Sequence, residues 1–88
     1  MSKAHLPAPA RERGRIAPAK LAHFVRKTSQ REKMSTWYKT VLEAEVILEN
    51  ENFSFLTYDE EHHRVAILAI PGLEPAPENA AGTDHIAF

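Results

Sequence analysis

The sequence predicts a small α+β domain in which one β-α-β-β-β module is followed by the first strand of a second module. A length of 88 residues leaves room for only one small domain. One stretch has the apolar period of a helix, and several short apolar stretches are bounded by turn residues, as strands are. Hydrophobic residues at 43% and charged residues at 26% are typical of a globular chain.

The first strand is predicted over residues 20–27, which are short, β-rich at the centre and followed by Thr28 and Ser29. Alternation along a strand places every second side chain on the same face. His23 is therefore expected to share a face with Leu21 and Val25.

A helix is predicted to begin at Ser29, because Ser29 and Glu32 have the spacing of a capping box. The helix is expected to end near Glu43. Its apolar stripe has the helical spacing and is expected to pack against a sheet. The stripe consists of Met34, Trp37, Tyr38, Val41 and Leu42.

Three more strands are predicted over residues 45–49, 53–58 and 63–70. Turn residues at 50–52 and 59–61 separate them, so neighbouring strands should be antiparallel. The last strand is apolar on both faces and is therefore expected to be central or covered on both sides.

The remaining segments complete the predicted organisation. Residues 1–19 are interpreted as a basic Pro/Ala-rich leader, which is expected to be flexible. Residues 20–71 form the first module, and the Pro-, Gly-, Ala- and Glu-rich residues 72–83 form a linker. Residues 84–88 begin another strand, so we expect the chain to be a fragment of a longer protein.

Composition excludes several classes of function. A formal net charge of −1 makes nucleic acid an unfavourable partner. The absence of Cys excludes disulfides and thiolate metal sites, so any metal must bind His, Asp or Glu. No apolar run is long enough for a membrane span or a secretory signal, and we therefore expect a cytoplasmic protein without a membrane partner.

Histidines are the residues that could carry chemistry. Imidazole is a good ligand for Fe(II), Zn(II), Mn(II) and Ni(II), although a single His in a strand is more often structural. Equivalent strands of two sequential modules would make His23 and His85 neighbours, as paired metal ligands. Because successive strand residues face opposite sides, at most one of His62 and His63 is expected to be functional.

Three stretches of the chain have a recognisable pattern: Leu-Ala-His-Phe-Val-Arg at 21–26, Glu-Glu-His-His-Arg-Val-Ala-Ile at 60–67 and Asp-His-Ile-Ala-Phe at 84–88. They resemble the vicinal oxygen chelate superfamily, and most closely its type I extradiol ring-cleaving dioxygenases. The helix with Trp37, Tyr38 and Leu42 adds to the resemblance, which runs from about Lys20 to Phe88. Where relatives have Leu-Gly after this helix, the chain has Leu42-Glu43-Ala44.

The resemblance implies a site and a reaction. His23 and His85 would bind Fe(II), with Mn(II) or another divalent metal as an alternative. His63 would be the acid–base catalyst in the opening of a catecholic ring by O₂. The third metal ligand of the family, a Glu late in the second module, has no counterpart in these 88 residues.

The sequence also leaves two other functions open. One is a glyoxalase-like isomerase, although the carboxylate that such enzymes carry late in the first module is absent from residues 65–70. The other is a ligand-binding module without catalysis. Since one module would leave sheet edges and an apolar face uncovered, we also expect a homo-oligomer or pairing with the missing half.

Overall fold

The structure is a computed structural model that describes residues 8–14 and 16–88. Within this part of the chain, four strands form one mixed sheet and a helix packs on one of its faces. In chain order the elements are β1 (Phe24–Thr28), α1 (Arg31–Leu42), β2 (Glu45–Glu49), β3 (Phe53–Thr57) and β4 (Val65–Ala69).

The strands lie in the order β1-β4-β3-β2. β2 pairs with β3 and β3 with β4 in antiparallel fashion, whereas β1 pairs with β4 in parallel. The predicted antiparallel neighbours and the central position of the last strand are therefore confirmed. The arrangement is compatible with the predicted β-α-β-β-β module.

The core lies between α1 and one face of the sheet. Tyr38 of the helix packs with Leu56 and Val65 of the sheet, and Leu56 and Val65 have no exposed surface. Phe24, Met34 and Leu42 are partly buried against this cluster. We call this side the helix face.

The other face of the sheet is partly uncovered. The strand registers place Leu48, Phe55 and Ala66 in one row across this face, and Phe53 and Leu68 in the next. Leu48 is 51% exposed and Leu68 39%. We call this side the open face.

The predicted apolar stripe of α1 is only partly in the core. Tyr38 is buried, but Trp37 is 54% exposed and Val41 53% exposed. The helix is rotated so that Ser35 also faces the sheet, where its hydroxyl donates to Glu49 Oε2 at 3.2 Å. The expectation that the whole stripe packs against the sheet was therefore wrong. The Ser35–Glu49 contact occupies part of the interface between α1 and the sheet.

The predicted capping box does not form. Gln30 is the N-cap residue and caps with no side-chain hydrogen bond. The hydroxyl of Ser29 instead donates to the carbonyl of Leu73 at 2.8 Å. The helix begins at Arg31 and ends with Glu43 in the left-handed region, at φ 53°.

Two strands start later than expected. β1 begins at Phe24 rather than Lys20, and β4 begins at Val65 rather than His63. The carbonyls of Leu21 and Ala22 accept hydrogen bonds from the Arg64 side chain, not from a strand. His23 and His63 consequently lie just before strands.

The described residues outside the sheet and α1 add little regular structure. Residues 84–88 pair with no strand, although Phe88 packs near Phe24 and Tyr58 at ring-centroid distances of 6.0 and 6.1 Å. The second module therefore stays a prediction. The leader prediction falls partly on residues 1–7 and 15, which lie outside the described residues. Within the described residues, no helix has the length and apolar character needed to cross a bilayer.

Candidate functional site

His23 and His63 meet at one end of the open face. Parallel pairing sets Phe24 opposite Val65, so the residues just before these two strands are brought together. The His23 and His63 ring centroids are 4.2 Å apart, with the rings inclined at 46°. The sheet thus joins two of the three histidines that the sequence singled out as site residues.

Aromatic packing fixes the ring of His63. Phe55 lies on the open face of β3, and its ring stacks on His63 at a centroid distance of 4.6 Å and an interplanar angle of 16°. The Phe53 ring in turn stacks on the Phe55 ring, with their centroids 4.6 Å apart. The His63 imidazole is therefore half-buried and oriented, whereas His23 is exposed.

His62 also contacts His63. The two Nδ1 atoms are 2.9 Å apart, so one ring donates and the other accepts. Because both residues precede β4, the strand alternation that was expected to separate their side chains does not apply. The premise of alternation was therefore wrong, whereas the expectation that at most one of the two is functional stays a prediction; His62 itself is exposed.

The surroundings of His63 favour its neutral form. Burial lowers the pKa of His63, and the nearby His23 and His62 lower it further, while Glu61 acts in the opposite direction. A neutral imidazole near neutral pH can accept a proton, as a general base must.

Arg64 ties the two histidine segments together. Its guanidinium binds Asp59 through Nε and Nη2, and its Nη1 donates to the carbonyls of Leu21 and Ala22 at 2.8 Å each. From the sequence, Asp59 is expected only as a turn residue, and no role is predicted for Arg64. An Arg at the start of an apolar strand, close behind an acidic turn, was the available signal.

A cleft of about 300 Å³ adjoins His23 at the start of β1. Its walls include Phe24, Tyr58, Arg64 and Phe88. The last residues of the chain therefore border the same cleft as His23.

His85 makes no ring contact or hydrogen bond with His23 or His63 within the described residues. It is exposed and is not among the side chains that line the cleft, and its Nδ1 lies 2.7 Å from Asp84 Oδ2. Within residues 8–14 and 16–88, no group of three His, Asp or Glu side chains is arranged to hold a metal. The structure thus joins His23 to His63 but does not join His85 to either.

Two curated proteins of Rhodococcus globerulus are similar to this chain. Biphenyl-2,3-diol 1,2-dioxygenase 2 is 51% identical over 73 residues, which cover 82% of this chain and 38% of the relative. Biphenyl-2,3-diol 1,2-dioxygenase 3 is 48% identical over 71 residues, or 78% of this chain and 37% of the relative. The chain therefore matches less than half the length of these relatives. No protein-family model and no solved structure matches the chain.

Proposed function

We propose that the protein carrying this chain opens a catecholic ring with O₂, because the chain is a homologue of extradiol dioxygenases of the vicinal oxygen chelate superfamily. The observation that carries this proposal is the juxtaposition of His23 and His63, with ring centroids 4.2 Å apart, in a chain so similar to two biphenyl-2,3-diol 1,2-dioxygenases. A metal ligand and a proton acceptor would then face the same substrate.

His23 and His85 are the proposed protein ligands of a divalent metal, with Fe(II) favoured and Mn(II) as the alternative. Both imidazoles are exposed and so can be reached by a metal. Asp84 accepts a hydrogen bond from His85 Nδ1 when that atom carries the proton, which leaves Nε2 available to a metal. The third ligand would come from outside these 88 residues.

Fe(II), when bound, supplies open positions for both catechol oxygens and for O₂. The proposed task of His63 is to hold and move the proton that accompanies ring opening. Its lowered pKa keeps the imidazole neutral, and its stacking on Phe55 holds the ring in one orientation beside His23. General acid–base catalysis of this kind typically contributes about 10²- to 10⁴-fold in rate.

The proposed organisation has residues 20–71 as the first module, residues 72–83 as a linker and residues 84–88 as the start of a second module. The uncovered open face and the edge strand β1 support pairing with a further module and assembly into a homo-oligomer. The absence of Cys agrees with the proposed cytoplasmic location.

The test is O₂ consumption by the full-length protein, loaded anaerobically with Fe(II) and then supplied with a panel of catechols in air. We expect a yellow ring-opened product in step with O₂ uptake. His63→Ala should lower turnover by about 10²-fold or more while keeping its iron. His23→Ala and His85→Ala should lose iron.

His62→Ala is the matched control, because His62 is the exposed neighbour of His63. Because its Nδ1 also lies 2.9 Å from His63 Nδ1, the loss of activity should be modest and clearly smaller than in His63→Ala. Iron loss in His63→Ala with full iron in His23→Ala would contradict the assigned roles. Iron binding with neither O₂ uptake nor binding of any catechol would favour a glyoxalase-like isomerase, whereas binding of a catechol without turnover would favour a non-catalytic module.

A further inference from the structure

Arg64 is held at both ends by the fold. Its side chain is only 10% exposed, and Asp59 grips it through Nε and Nη2, with the Nη2–Oδ2 distance at 2.9 Å. Two-point pairing of a guanidinium with a carboxylate fixes the orientation of the guanidinium plane. The other end of the guanidinium is therefore aimed in one direction.

That direction is the backbone just before His23. Nη1 of Arg64 donates to the carbonyls of Leu21 and Ala22, both at 2.8 Å. These are the two residues that precede His23 in the chain. Since β1 starts only at Phe24, the backbone at this point has no strand ladder to hold it.

The backbone of Arg64 joins the same region. Its carbonyl accepts a hydrogen bond from Phe24 N at 3.1 Å, and its N–H donates to Leu56 O at 2.8 Å. Arg64 is the residue after His63. It therefore hydrogen-bonds the backbone before His23, at residues 21 and 22, and the backbone after it, at Phe24.

Asp59 is itself held in place. Its Oδ1 accepts a hydrogen bond from Glu61 N at 3.1 Å, and its backbone N–H donates to Thr57 Oγ1 at 3.4 Å. The turn after β3 therefore fixes the carboxylate, which in turn fixes the guanidinium.

We propose that Arg64, oriented by Asp59, is a positioning residue that sets where His23 stands relative to His63. This inference rests on the proposed function, in which His23 binds the metal and His63 moves the proton. Arg64 acts through the backbone of residues 21 and 22 and touches neither histidine ring. Its role differs from that of an ordinary buried ion pair because it locates a ligand.

The chemistry of the side chain makes the proposal specific to Arg. A guanidinium presents five N–H donors in a rigid plane and can serve a carboxylate and two carbonyls together. A Lys ammonium is a point donor on a flexible stem, so Arg64→Lys should restore only part of the effect. Met at this position fills similar space without any donor.

The experiment measures Co(II) binding to the metal-free full-length protein and amide hydrogen exchange in residues 20–24. Arg31→Met is the matched control. Arg31 is 12% exposed, lies 3.4 Å from Glu49 and donates to Ser54, but it is in α1 and belongs to a different network. Both variants lose a part-buried Arg–carboxylate pair and should lose thermal stability.

We expect Arg64→Met to weaken Co(II) binding about 10- to 100-fold and to change the visible spectrum of the bound Co(II). Exchange in residues 20–24 should become faster. Arg31→Met should bind Co(II) within about twofold of the unsubstituted protein, because carboxylates and carbonyls near His23 keep their partners. Arg64→Lys should fall between Arg64→Met and the unsubstituted protein.

Equal Co(II) affinity in Arg64→Met and Arg31→Met would overturn the proposal, and so would unchanged exchange in residues 20–24. If Arg64→Met does not fold, Arg64→Lys and Asp59→Asn provide the same comparison. If the unsubstituted protein binds no Co(II), the proposed function fails. Faster exchange confined to the Arg64 variants would still support the proposal that Arg64 holds the backbone of residues 21 and 22. Unchanged exchange in those variants would reject it.

Discussion

At the scale of single residues, His63 owes its character to its neighbours. Phe55 covers one face of its ring and removes water from it, and burial is the first cause of the lowered pKa. Burial disfavours the charged form of an imidazole. The stacking partner therefore contributes to the proton chemistry without touching a proton.

Phe55→Leu should raise the pKa of His63 towards the ordinary value, because a smaller side chain readmits water beside the ring. The measurement is the NMR titration of the His63 ring protons. Phe53→Leu is the control, since Phe53 stacks on Phe55 and lies two residues before it in β3, on the same face. The account is wrong if the His63 titration stays unchanged in Phe55→Leu, or moves equally in both variants.

The sequence predicts some residues of this site and not others. His23 and His63 stand out because imidazole is a rare side chain with metal and proton chemistry, and because their motifs resemble a known family. Arg64 does not stand out, since its partners at Leu21 and Ala22 are backbone carbonyls 43 and 42 positions away. Sequence patterns describe neighbours along an element and carry no information on such contacts.

At the scale of elements, turn residues and apolar period predicted the strands well. β2 has the bounds that the flanking turn residues indicate. The helix start was harder, because the Ser29 hydroxyl that could cap α1 is drawn to Leu73 by folding of a distant segment. The rotation of α1 about its axis was also not predicted, since the contact between Ser35 and Glu49 is polar and the prediction used only the spacing of apolar residues.

The end of α1 gives a prediction for this scale. Glu43 adopts φ 53°, a left-handed conformation that is costly for side chains with a Cβ and costs nothing for Gly. Glu43→Gly should raise the free energy of unfolding by about 0.5–1 kcal/mol, because relief of strain exceeds the greater chain entropy of the unfolded state. Urea unfolding measures it.

Glu43→Ala is the matched variant, because it removes the carboxylate but keeps a Cβ. It should not gain the stability that Gly gains. An equal gain in both variants would assign the effect to charge, and a loss in Glu43→Gly would show that Glu43 is not strained.

At the scale of the whole molecule, the two faces of the sheet differ. The helix face buries Leu56, Val65 and Ile67 completely, whereas the open face leaves Leu48 and Leu68 partly exposed. An apolar face of this kind normally marks a surface that another structure covers. The candidate site lies at one end of this open face.

The 88-residue chain alone should bind the dye ANS and self-associate through the open face. Changing Leu48 and Leu68 together to Lys should reduce both effects by severalfold, as judged by ANS fluorescence and sedimentation velocity. Val41→Lys is the control, because Val41 is 53% exposed but lies on α1. Equal reductions by the two changes would place the association elsewhere.

The parallel pairing of β1 with β4 also sets an order of events during folding. The β2–β3 and β3–β4 pairs join strands that are neighbours in the chain and close short loops. β1 and β4 are the first and last elements of the chain order, so their pairing closes a long loop. Closing a long loop carries the greater entropic cost, so non-local pairings form slowly. We therefore expect β1 to join last. His23 would then reach His63 only in the step that completes the sheet, and a chain that has not finished folding has no assembled site.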